Sequence, residues 1–166
     1  MGAPVARSAA PDLARAVARI EAHLAEHPDD GRGFEVIAPY YLRAGRYEEA
    51  IHAREEALRL LGETPERHDD LGEAFVVAAQ GRVTGEAENH FEAAARLAPG
   101  DLMAAYYLGL AAAQQGRAAK AREIWWRLLA DAPPLAVRRT RAGSVTIVFS
   151  FCRTTGSGSV SSIVFP

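Results

Sequence analysis

Thirty-four residues separate Ala38 from Gly72, and the side chains around the two positions follow one pattern of large and small residues. The pattern returns around Gly109, three residues late. A pitch of about 34 residues restricts a chain to architectures in which each unit is too small to bury its own apolar face and must stack on the next. Three stretches carry the pattern: Gly31 to Thr64, Pro65 to Gly100, and Leu102 to Asp131. In the first, Phe34, Ile37, Ala38 and Tyr41 fall at helical spacing, Gly45 breaks the helix, and Tyr47, Ala50, Ala57 and Leu58 mark a second helix. In the third, Leu108, Gly109, Gly116, Ala121, Trp125 and Leu128 do the same, and Pro133 closes the unit. The middle stretch opens with Leu71, Gly72 and Phe75, lags through Gln80 to Gly85, and resumes in phase with Ala87, Phe91, Ala94 and Pro99. The lag reads as a three-residue insertion between paired helices, where a stack tolerates it best.

The small residues have a packing reason. Ala38, Gly72 and Gly109 sit on the first helix of each pair and Ala50, Ala87 and Ala121 on the second, so that two helix axes can approach while Tyr41, Phe75, Phe91 and Trp125 fill the space beside them. On this reading Gly109→Leu overpacks the contact at a cost of about 1 to 3 kcal/mol. These landmark positions are those of a tetratricopeptide repeat (TPR). The expected fold is all-α, a TPR-type right-handed helical solenoid of about seven helices with a non-helical C-terminal tail.

Upstream, Asp12 suits an N-cap, and Ala16, Ile20 and Leu24 make an apolar stripe that ends before Pro28. The expected organisation is a disordered N-terminus at 1–10 and a TPR domain at 11–133. That domain comprises a partial repeat at 11–30 and repeats at 31–64, 65–100 and 102–133. After Pro134 the basic Arg138, Arg139 and Arg141 give way to a Ser, Thr and Gly-rich tail with two β-type runs, Val145 to Cys152 and Val160 to Phe165. Residues 134–166 are expected to be irregular or disordered, and the sharp change of character suggests a frame-shifted or otherwise foreign terminus. The uncharged first run is an aggregation liability. Removing the residues after Pro134 is expected to leave the melting temperature intact.

Composition removes several function classes. The formal net charge is -2, with 19 basic and 21 acidic residues interspersed, which offers neither a nucleic-acid stripe nor an anionic-lipid patch. Cys152 is the only cysteine, so intrachain disulfides, CxxC pairs and thiolate zinc sites are excluded. Met1 to Pro11 has no apolar core of the kind a secretory signal needs, and no run reaches the ~18 apolar residues of a bilayer span. The chain as read is expected to be soluble, without direct membrane insertion, and any anchor or export signal would lie outside it.

The segment His27-Pro-Asp-Asp-Gly-Arg-Gly-Phe-Glu-Val-Ile-Ala-Pro-Tyr-Tyr-Leu-Arg-Ala-Gly-Arg is more specific than a generic TPR, and Leu60-Leu-Gly-Glu-Thr-Pro-Glu-Arg with the late middle repeat adds to it. Over residues 13 to 133 the chain resembles the periplasmic domain of the bacterial c-type cytochrome biogenesis family called CcmI or CycH. The resemblance implies a protein-binding chaperone at the periplasmic face of the inner membrane. Such a chaperone captures the C-terminal helix of apocytochrome c and delivers the client to the haem ligation machinery. A generic TPR scaffold for another complex is the alternative.

In a TPR stack the first helix of each pair lines the concave face. Counted from the Ala and Gly landmarks, the groove residues are Arg32, Glu35, Pro39, Leu42 and Arg43, then Glu66, Asp69, Glu73, Val76 and Val77, then Met103, Tyr106, Leu110 and Gln114. Acidic and apolar groups outnumber basic ones. Glu35, Asp69 and Glu73 would repel a free C-terminal carboxylate, so the better ligand is an amphipathic helix with apolar anchors and Lys or Arg flanks. Tyr106 suits inter-helix packing equally well, and Pro39, inside a helix, removes one backbone bond and should kink it.

No catalytic residue, metal site or cofactor is expected. His23 and His27 stand four apart on a helix, but no third ligand or HExxH glutamate accompanies them. His52, His68 and His90 read as helix-surface histidines, with His90 partly buried beside Phe91. No GxSxG motif supplies a nucleophile. Gly81 to Gly85 has neither the Lys-Ser/Thr nor the preceding strand of a phosphate loop, and the haem attachment signature CxxCH is missing. Trp125 takes the core aromatic position, which turns Trp126 toward a helix seam or the surface.

Overall fold

A computed structural model describes residues 9–131, 137–139, 145–150 and 160–165, with side chains described from 13 to 130. Among the described residues seven helices follow one another: α1 (Ala9–Glu26), α2 (Gly31–Arg43), α3 (Tyr47–Leu61), α4 (Pro65–Ala78), α5 (Gly85–Leu97), α6 (Leu102–Gln114) and α7 (Ala118–Asp131). From α1 to α6 each packs on the next in sequence, as a solenoid requires. The chain divides into two compact units, Met1–Trp125 and Trp126–Pro166.

The helix starts are written in short polar side chains. Asp30 accepts from Gly33 N, Thr64 from Arg67 N just before Pro65, Thr84 from Ala87 N, and Asp101 from both Met103 N and Ala104 N. The first helix of each pair ends in one recurrent way. Arg46 N donates to Tyr41 O, Gly81 N to Val76 O and Arg117 N to Ala112 O, and the residue before each donor has positive φ: Gly45, Gln80 and Gly116. Six residues, 79–84, join α4 to α5, where three residues join α2 to α3 and α6 to α7. The expected three-residue insertion is therefore this loop.

The small residues do what their size requires. A Cβ on Gly72 would lie 2.8 Å from the Phe91 ring, and one on Gly109 would collide with the Trp125 indole. Ala38, Ala50 and Ala87 are fully buried, and Ala57 and Ala121 nearly so. The Asp-Asp-Gly-Arg-Gly motif has the same explanation: a Cβ at Gly31 would meet Leu60 and Leu61 of α3, and one at Gly33 would meet Leu24 of α1. Two cores result. Val17, Leu24, Ile37, Ala38, Tyr41, Ala50 and Ala53 form the first, with Phe34 half-buried against it; Val76, Ala87, Phe91, Ala94 and Ala104 form the second, with Phe75 against it. The Tyr41 hydroxyl donates to Glu21 of α1 at 3.1 Å, and Arg46 joins the same carboxylate at 2.7 Å while lying over the Tyr41 ring.

Three expectations need correction. Helix α1 begins at Ala9, not after Asp12, because Ala9 and Ala10 are good helix formers and Pro11 stands in the first turn, where its missing N–H has no partner to lose. This removes Ala9 and Ala10 from the segment expected to be disordered; residues 1–8 lie outside the described residues. The buried stripe of α1 is Val17 and Leu24 with Ile20 half-buried, and Ala16 is exposed. The tail expected to be irregular holds three strands, β1 (Val137–Arg139), β2 (Val145–Ser150) and β3 (Val160–Phe165), paired antiparallel in the order β1-β2-β3. The β-branched content of the two runs suits that pairing, in which Val145 faces Phe165 and Ser150 faces Val160. Pro133 and Cys152 lie outside the described residues. Helix α2 continues through Pro39, which is half-buried. Among the described residues no helix is long and apolar enough to cross a membrane.

Candidate functional site

The first helices of the three pairs, α2, α4 and α6, carry the residues expected to meet a ligand. Their states differ. Arg32 and Arg43 are exposed, while Pro39 is half-buried and Leu42 packs against the first core. Glu35 is already engaged: Arg67 of α4 donates to it at 2.8 Å and also to the carbonyls of Leu61 and Gly62. On α6, Met103, Tyr106 and Leu110 are half-buried. Trp125 Nε1 donates to the Tyr106 carbonyl at 3.2 Å, and the Tyr106 ring meets Tyr107 edge-on at 5.1 Å. The link from α7 to this position is thus through the Tyr106 backbone, while its ring meets a neighbour on α6 itself. Val77 and Glu66 are exposed and Glu73 is half-buried.

Three residues expected on the open face are otherwise occupied. Val76 belongs to the second core: it lies one helical turn after Gly72, as Leu42 lies one turn after Ala38 and packs against the first core. Gln114 is used by the inserted loop: its side chain accepts from Val83 N at 2.9 Å and donates to Gly81 O at 2.8 Å. Asp69 is 5% exposed. Its carboxyl meets that of Asp101, the cap of α6, and no conventional donor reaches Asp69 Oδ1. Burial first, then the charges of Asp101, Asp70 and Glu66, push Asp69 up to about 8, so it holds a proton at neutral pH. Between α4 and α6 the face therefore presents a protonated acid against a carboxylate. Tyr107 stacks on Phe91 at 4.4 Å, and burial, then Glu73, raises its hydroxyl above the ordinary phenol range.

The histidines also depart from expectation. His68 is buried, and its Nδ1 lies 3.0 Å from His90 Nδ1 while Phe75 stacks on His90. The reason is register: His68 occupies the repeat position that Phe34 holds in α2, an inward one. Burial lowers the pKa of both. His23 and His27 are exposed with rings 4.5 Å apart, and His23 Nε2 meets Asp30 at 3.1 Å. Among the described residues no group of three His, Cys, Asp or Glu side chains could hold a metal. Arg54, buried on α3, pairs with Asp70 at 2.5 Å. Of these unforeseen residues only Asp101 had a local signal, an acid immediately before an apolar run. The partners of Arg54, Arg67 and His68 lie 16 to 32 residues away in sequence.

No family model matches the chain. The c-type cytochrome biogenesis protein CycH of Bradyrhizobium diazoefficiens is 48% identical over 121 residues, and CycH of Rhizobium meliloti 42% over 125, each match covering 73% of this chain. The chain carries a TPR segment of the CycH type. It spans about a third of the length of these relatives, 33% in each case. Solved structures agree on the fold. MamA aligns at TM-score 0.59 with 22% identity over 69% of this chain and 66% of that one. The TPR protein YrrB, described as having an unusual peptide-binding site, aligns at 0.61 with 22% identity over 76% and 63%. MamA residues 41 to end from Desulfovibrio magneticus RS-1 aligns at 0.62 with 18% identity over 72% and 66%. At such identities these likenesses concern the fold alone.

Proposed function

We propose that this CycH-type segment is a protein-binding module of c-type cytochrome maturation that captures the amphipathic C-terminal helix of apocytochrome c along the face of α2, α4 and α6. The observation that carries the reading is the 48% identity to CycH over 121 residues. The character of the face supports it: half-buried Met103, Tyr106 and Leu110 offer apolar purchase, and Glu66, Glu73 and Asp101 offer acid. An amphipathic helix with basic flanks satisfies both, in the helix-in-groove mode. The capture is reversible and non-covalent, with no bond made or broken by this chain, and it hands the client to the haem ligation machinery at the periplasmic face of the inner membrane. Ordering an unfolded client costs entropy, which sets the affinity near the micromolar scale and allows release. Calorimetric titration with synthetic apocytochrome c C-terminal peptides tests this. Saturable binding in the micromolar range is expected, and no heat at high micromolar concentration would count against it.

A further inference from the structure

The buried acid between the second and third repeats is unusual for a residue on a ligand-facing helix. Asp69 is 5% exposed, and its Oδ1 finds no conventional donor. The charged groups bearing on it, Asp101, Asp70 and Glu66, are all acids. Asp70 has its cation in Arg54 of α3, and Glu35, the other acid expected on this face, has Arg67. Asp101 is half-buried and spends Oδ1 on Met103 N and Ala104 N, capping α6. Tyr107 of α6 also faces Asp69. A buried carboxyl pair of this kind lacks one positive charge, and a proton on Asp69 supplies it only while nothing better is present.

We propose that Asp69 and Asp101 form a cation subsite that receives one Lys or Arg side chain of a bound helical peptide, with the proton of Asp69 as the occupant of the empty site. This rests on the reading of the α2, α4 and α6 face as the ligand face. The cation enters at half-buried Asp101, Asp69 gives up its proton to solvent, and an ammonium or guanidinium then bridges two carboxylates. One proton leaves for each cation that arrives, so charge in the site is conserved. Neighbouring acids serve differently: Glu66, exposed one turn earlier on α4, attracts basic flanks without specifying where they seat.

The test uses the whole chain and an apocytochrome c C-terminal peptide, with variants in which each Lys is replaced singly by norleucine. Titration in buffers of different ionisation enthalpy counts the protons. The subsite predicts release of close to one proton per peptide near neutral pH, and one Lys→norleucine peptide that binds without release. Asp69→Asn, which keeps size and a donor toward Asp101, should weaken the native peptide by about tenfold and leave the norleucine peptide unaffected. Binding without proton release overturns the subsite while the ligand-face reading stands. No binding of any peptide overturns both. The proton count on the native chain needs no variant, so a poorly folded Asp69→Asn would leave the inference open to refutation.

Discussion

Replacing Gly72 by alanine adds one methyl group and should nevertheless destabilise the stack. Its Cβ would lie 2.8, 2.8 and 3.1 Å from three carbons of the Phe91 ring, against an optimum near 3.5 to 4.0 Å. The ring has nowhere to go: Phe91 is fully buried, with Tyr107 stacked on it at 4.4 Å. Helix propensity favours alanine by about 1 kcal/mol, while overpacking costs about 1 to 3 kcal/mol. The net expectation is a loss of about 1 kcal/mol, a fall of about 4 °C in Tm for a domain of this size. Gly85→Ala is the control, since nothing lies within 4 Å of a Cβ built there; its Tm should hold or rise. Phe91→Leu makes room, so the double variant should lose less than the two single losses combined. Thermal melting followed by circular dichroism reads the four variants against the parent. If Gly72→Ala melts at or above the parent, the close-approach argument for the repeat is wrong.

Other expectations follow from the buried polar groups. Arg54→Met removes a buried guanidinium from Asp70 while keeping bulk, and should cost about 3 to 5 kcal/mol in denaturant unfolding; a change below about 1 kcal/mol would show the pair to be dispensable. Asp69 is held up to about 8 in the folded chain against 3.8 for its ordinary value, so the unfolded chain gives up this proton first. Its contribution to stability is present at low pH, declines as pH rises and is gone above about 8, whereas His68 and His90, both lowered from 6.5, withdraw theirs only as pH falls below that value. Between those limits stability should fall with rising pH, and Asp69→Asn should flatten the slope; a native chain that gains stability over that range contradicts the protonated acid. Gln114→Ala releases Val83 N and Gly81 O, and hydrogen exchange in the α4–α5 loop should quicken without a change in Tm.

What the sequence made legible was whatever repeats. Ala38, Gly72 and Gly109 recur because close approach admits only the smallest side chains, and that recurrence carries the fold without any knowledge of partners. The inserted loop was visible for the same reason, as a phase error between Gly72 and Ala87. The face was legible only in part. Position within the repeat put Met103, Tyr106 and Leu110 on α6, where all three are half-buried, but it assigned Glu35, Asp69 and Gln114 to an open surface on which each has another engagement. Those engagements join residues from different repeats, and pairings at such separation leave no periodic trace. His68 shows the converse case: a polar residue in an inward position follows its position and not its type.

Amide chemical-shift mapping during titration with an apocytochrome c C-terminal peptide shows whether the first helices of the pairs receive a helical guest. Perturbations are expected along α2, α4 and α6, strongest around Met103, Tyr106, Leu110 and the Asp69 to Asp101 contact. Perturbations confined to α3 and α5 would contradict that expectation.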